Sequence, residues 1–182
     1  MTDDQKRLLE RGIVVLPEEI THDTYGLLLD ALDQMTSTTV RLYCRGNGGC
    51  SSSALAMADL IAQHGDVVGM LPGLAASSHA TVWAACQRRF VYPHGCLGLH
   101  KVSWDGISTR ADSLSLRLYA EQWARTERAV AGLLGAAGCP SSSDWYDRIQ
   151  QAGSAGIVIV DALELVELQM ARPVAEWEEV SA

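Results

Sequence analysis

Three short stretches of this sequence carry residue types that chemistry uses. The first is Gly73-Leu74-Ala75-Ala76-Ser77-Ser78. Pro72-Gly73 breaks an apolar run, small residues follow, and a serine stands where a helix begins. Such a serine exposes its hydroxyl where unpaired backbone N–H groups and the positive end of the helix dipole converge. An acyl-transfer nucleophile needs donors of that kind for its oxyanion. An ordinary N-cap serine occupies the same place, with its hydroxyl turned back onto the first helical turn. The second stretch is Gly46-Asn47-Gly48-Gly49, between a strand and a helix. It lacks the lysine of a Walker loop and the GxGxxG spacing, which argues against a phosphate cradle. It reads either as a tight turn or as bare backbone that a substrate can approach closely. The third is His100, at the end of Cys96-Leu97-Gly98-Leu99. A lone histidine there fills a structural role as readily as a chemical one. His22, His64, His79 and His94 show no metal-like spacing.

These stretches need elements to position them. Residues 12–16 are β-branched and end at Pro17, which predicts a strand. Tyr25, Leu28, Leu29, Leu32 and Met35 recur at helical spacing, which predicts a helix over 21–35 with those residues on one face. Strands follow at 39–44, 67–71, 90–92 and 96–99, with helices from about 53 to Gly65 and from Ser77 to about Gln87 between them. The segment 111–137 predicts a long helix with Tyr119, Trp123, Val130 and Leu133 close to one stripe, ended by Gly138 and Pro140. A serine-capped helix through Ile149 and a last helix from about Asp161 complete the reading. Strands alternating with helices imply an α/β fold with a mainly parallel sheet and flanking helices. Chemistry in such folds sits on loops at the carboxyl ends of strands, where the two glycine-bearing loops lie.

Taken in order, the three stretches resemble the proteolytic subunit family of the Clp protease, the ClpP-type serine proteases. LYCRGNGG stands for that family's Ser-Pro-Gly-Gly loop, GLAASS for its Gly-x-Ala-Ala-Ser, and RRFVYPHGCLGLH for the basic turn and strand ending in histidine. KRLLERGIVVL is similar to its start and VDALELVE to its late Glu-Ala segment, so the resemblance runs from about Lys6 to Glu167. It implies a ClpP/crotonase-like fold in one peptidase domain, 1–182. It also implies Ser77 as nucleophile, His100 as base, and the backbone N–H groups of Gly49 and Ser78 as oxyanion donors. The family's third triad member, an aspartate, falls on or near Gln150. Asp147, one turn earlier, is the candidate acid; Gln150 itself and an absent acid stay open. Asn47 replaces the family's proline, and the chain before Lys6 is too short for the family's pore-lining hairpin.

The expected activity is that of a serine endopeptidase cleaving unfolded or extended polypeptide. The alternatives are an inactive ring subunit and a crotonase-like acyl-CoA enzyme, in which Ser77 and His100 have no required role. No cofactor or metal is implied. A homo-oligomeric ring is implied, with its interface on the long helix and residues 101–108. Whether an ATPase unfoldase serves the ring stays open. A net charge of −8 with no basic stripe argues against a nucleic-acid partner, and Arg88-Arg89 reads as a solvated turn. Five cysteines, an odd number with no CxxC pair, read as small buried residues in a reducing compartment. The N-terminal residues have no secretory character, and no apolar run is long enough to span a bilayer. The expectation is a cytoplasmic protein with no membrane partner.

Overall fold

The alternation expected from the sequence resolves into a repeated unit of two strands and a helix. In the computed structural model, residues 3–35, 39–102, 113–152 and 156–181 are described. After α1 (Asp3–Glu10), the first unit is β1 (Ile13–Val15), β2 (Glu19–Ile20) and α2 (His22–Gln34). The second is β3 (Val40–Tyr43), β4 (Gly48–Gly49) and α3 (Ser51–His64). The third is β5 (Val67–Leu71), β6 (Leu74–Ala76) and α4 (Ser78–Ala84), and the fourth is β7 (Arg88–Val91), β8 (Cys96–Leu99) and α5 (Ser113–Ala137). Then come α6 (Ser142–Gln151), β9 (Val158–Asp161), α7 (Ala162–Glu167), β10 (Arg172–Pro173) and α8 (Val174–Ser181). Residues 103–112, which hold most of the segment expected at a ring interface, lie outside the described residues.

The first strands of the four units form one parallel sheet, β1-β3-β5-β7, with β10 added at its edge. The second strands form another layer. In it β2 pairs with β4 and β6 with β8, both parallel, and a bridge between Gly46 and Ala75 joins the two pairs. β9 runs antiparallel to β8. The α/β, mainly parallel expectation therefore holds. All five residues of β5 are buried, as a central strand covered on both faces requires. Leu42, Met57, Ile61, Trp83, Leu97 and Trp145 fill the main core. On the opposite face of the sheet, Val68, Met70 and Phe90 make a second cluster beneath Trp177.

Several expectations change. The start of the chain is helix α1, and the helix expected from about Asp161 is α7, capped by Asp161 and followed by a two-residue strand and α8. Leu29 is 41% exposed, because the inward face of α2 is set by Leu28, Ala31 and Leu32. Arg88 does meet solvent, where it pairs with Asp66 at 2.6 Å. Arg89 does not sit in a solvated turn. Its guanidinium donates to the carbonyls of Met170 and Ala137, both at 2.7 Å, and to those of Ala84 and Cys86. The reason is local. α4 and α5 both end beside it, and the orphan carbonyls of helix ends need donors.

Trp145 anchors α6 in the main core with no exposed surface. Trp145→Ala is expected to cost about 3–5 kcal/mol, the usual range for emptying an aromatic core site. Equilibrium denaturation with urea measures it, and a loss below about 1 kcal/mol is incompatible with a packed site there.

Candidate active site

In the first three units the second strand leads into a helix, and in the fourth β8 ends just before His100. Gly49 ends β4 one residue before α3, Ala76 ends β6 beside Ser77, and Leu99 ends β8 beside His100. Because β6 and β8 are paired and the Gly46–Ala75 bridge holds the preceding loop to them, the three ends fall side by side. This layer brings together Gly49 and His100, 51 positions apart in sequence.

Ser77 takes the N-cap position of α4, yet its side chain makes no capping bond. Its backbone stands at φ 52 and ψ −119, and it is one of two non-glycine residues with positive φ among those described. Such a conformation costs on the order of 1–3 kcal/mol and persists only where neighbours enforce it. Here Ser77 N–H donates to the Gly98 carbonyl at 2.7 Å, Ala76 N–H to the Gly46 carbonyl at 2.9 Å, and Thr81 N–H to the Ser77 carbonyl at 3.2 Å. Gly98 lies opposite Ala76 in the β6–β8 register, and the small side chains let the strands close up there.

Gly48 passes directly over the serine. A Cβ added to it would lie 2.6 Å from Ser77 Cβ and 3.1 Å from Ser77 Oγ, so glycine is required. Ser78, at the start of α4, donates its hydroxyl to the Gly49 carbonyl at 3.0 Å, which fastens β4 to the helix. Gly49 and Ser78 are thus brought together on either side of Ser77. His79 lies against the same loop, where a Cβ added to Gly46 would come within 2.6 Å of its Nε2. That imidazole is fully buried and meets the Glu18 carbonyl through Nε2 at 3.2 Å. Burial holds its pKa below the ordinary value. A structural role accounts for His79.

His100, Ser77 and Ser78 line one cleft, together with Glu127, Val130 and Ile149. His100 Nδ1 is 2.5 Å from the Lys101 carbonyl oxygen. A carbonyl only accepts, so this contact makes Nδ1 the protonated nitrogen and leaves Nε2 as the basic one. Asp147 takes no part in the cleft. It is exposed on α6, because Trp145 and Ile149 are buried and set the rotation of that helix. Turning Asp147 inward would pull both from the core. Gln150 does face inward, and its Nε2 donates to Glu127 Oε2 at 2.6 Å.

Glu127 is the functional candidate that the sequence reading passed over. It sits on α5, is 8% exposed, and accepts from Val102 N–H at 3.1 Å through Oε1. A signal for it existed: Glu127 falls four residues after Trp123 and three before Val130, so it is an acid on the apolar stripe itself. At the mouth of the loop, Cys50 is exposed and unpaired in any disulfide. The Ser52 hydroxyl 3.1 Å from its sulfur, and then Ser53, lower its pKa from 9.0 to about 7.

The family model described as Clp protease matches residues 1–139. That span holds Gly49, Ser77, Ser78, His100 and Glu127, and it stops short of α6 with Asp147 and Gln150. No curated protein matches the chain at a significant level.

The Cys50 thiol offers a probe beside Gly49. Its lowered pKa makes it substantially thiolate near neutral pH, whereas burial pushes the Cys44 and Cys86 thiols up, Cys86 to about 12. Iodoacetamide on the folded protein should therefore alkylate Cys50 and spare Cys44 and Cys86. The Cys50 rate should fall on the order of tenfold from about pH 8 to about pH 6, as the thiolate is protonated. Peptide mass mapping checks both.

Proposed function

The chain belongs to the Clp protease family, and from that premise we propose that it is a serine endopeptidase subunit acting on unfolded or extended polypeptide. Ser77 Oγ attacks the scissile carbonyl. His100 Nε2 takes the proton and returns it to the leaving amine. The developing oxyanion is held by the backbone N–H groups of Gly49 and Ser78, near the N-terminus of α4, where the residue types matter little because the donors are main-chain. Substrate lies extended along a strand edge of the second layer, where main-chain hydrogen bonds supply affinity. The observation that carries this reading is the backbone of Ser77. A strained, non-capping serine at a helix start, beneath a glycine that has to be bare and in one cleft with a histidine, fits a nucleophile and does not fit an ordinary cap.

One observation favours a second reading, an inactive subunit of the same assembly. The position resembling the family's triad aspartate holds Gln150, and neighbouring Asp147 is exposed. A fluorophosphonate separates the two. Covalent labelling mapped to Ser77 and lost in Ser77→Ala supports the peptidase. An inert wild-type protein supports the inactive subunit, or an acyl-CoA enzyme that never used the serine. In an active enzyme, Ser77→Ala should lower peptide turnover by on the order of 10⁶ with assembly unchanged. Unchanged turnover would remove Ser77 from the mechanism.

The same reading has the subunit assemble with copies of itself, as a ring or stacked rings. Leu114 and Leu118, one turn apart at the start of α5, are 63% and 57% exposed, with Leu116 between them also exposed. Apolar surface of that kind on a projecting helix is suited to burial against a neighbour. Sedimentation velocity at micromolar concentration should show a closed oligomer. A monomer alone would overturn this part.

A further inference from the structure

We propose that Glu127 replaces the missing triad aspartate at one remove, acting on His100 through the peptide group that joins Lys101 to Val102. This rests on the reading of His100 as the base. The two halves of that peptide make different bonds. Its carbonyl, on Lys101, is 2.5 Å from His100 Nδ1, and its N–H, on Val102, donates to Glu127 Oε1 at 3.1 Å. A trans peptide points its C=O and N–H in opposite directions, and no cis bond occurs there. The unit therefore stands between the carboxylate and the imidazole, aligned with both.

The physics follows from that alignment. A carboxylate accepting the N–H end polarises the peptide and makes its carbonyl oxygen a stronger acceptor, since hydrogen bonds in series reinforce one another in a site of low dielectric. The carbonyl then does the two things asked of a triad acid. It holds Nδ1 protonated, so that Nε2 is left as the base, and it opposes the charge of the imidazolium that forms. Glu127 is buried in the cleft lining, where its charge is poorly screened. Gln150 has its own part. Its Nε2–H bond to Oε2 at 2.6 Å fixes the carboxylate plane, so that Oε1 meets Val102. The residue at the family's acid position has become the support of an acid delivered from α5. Glu127 is a positioning residue; it does not touch substrate or take the proton.

The test uses the full chain labelled with ¹⁵N-histidine, with His100 identified by the signal lost in His100→Gln. Wild type should show His100 as the Nδ1–H tautomer. In Glu127→Gln, which keeps the side-chain volume and removes the charge, the Nδ1–H fraction should fall. Fluorophosphonate labelling of Ser77 should slow by on the order of 10- to 100-fold, the loss usual when a group behind a functional side chain is removed. Adding Gln150→Glu to Glu127→Gln restores a carboxylate to the pair and should recover most of that rate and the tautomer. Unchanged tautomer and labelling in Glu127→Gln would overturn the relay. So would a rate loss that the double substitution leaves unrepaired while the fold, by circular dichroism, is intact. The failure of the peptidase reading is distinct: wild type is then inert to the fluorophosphonate, and the tautomer comparison still decides whether Glu127 governs His100.

Discussion

The arrangement of this molecule turns on one residue's backbone. Ser77 is held at positive φ by the β6–β8 pairing on one side and by the first turn of α4 on the other. Neither alone would suffice, since an L-residue relaxes from that region when free to do so. The strain is met by collective packing. Ala75 and Ala76 are small enough for β6 to sit against β8, Gly98 leaves the opposing face open, and Gly48 leaves space above the hydroxyl. A larger side chain at any of these places would separate the strands that force the serine outward.

That dependence explains what was legible beforehand and what was not. The α/β alternation could be read because the first strands are apolar and β-branched, and the helices between them carry long apolar stripes. Of the second strands, only β8 could, as the strand expected at 96–99. β4 is two glycines and β2 is two residues long, so neither has a propensity to detect; they exist because the first strands and helices leave them side by side. Gly49, Ser77 and His100 are marked by the resemblance to the Clp protease family, which rests on the order and spacing of the three stretches. The acid was another matter. Spacing on α6 suggested that Asp147 and Gln150 share a face, but two buried anchors, Trp145 and Ile149, rotate the helix so that one is wet and the other turned inward. Glu127 reaches the cleft from an element whose placement depends on the whole core. A lone acid in an apolar stripe hints at burial but does not say what it will meet.

The fourfold unit also accounts for the division of labour. First strands and helices build most of the core, and second strands add Ile20, Ala75, Leu97 and Leu99 to it while their ends carry the candidate site. Their short length keeps the candidate chemistry on backbone atoms, which are placed by hydrogen bonding more rigidly than side chains are by packing. The N–H groups proposed to hold the oxyanion are main-chain groups, and so is the group that His100 contacts through Nδ1. Side-chain identity matters most where it must be small, as at Gly48, and where an acid is buried, as at Glu127.

Arg89 stands at the opposite end of α4 from the serine. A helix of seven residues has little stability of its own. This one is closed at its start by Ser78 on Gly49 and at its finish by a cation that also grips the last turn of α5 and the carbonyl of Met170. The short helix is therefore a strut within a frame. Met170 supplies one of the four carbonyls that hold the guanidinium, so opening the chain there loosens the far end of the strut on which Ser77 is mounted. Local opening at the C-terminal edge is thereby coupled to the stability of the helix that begins at Ser77.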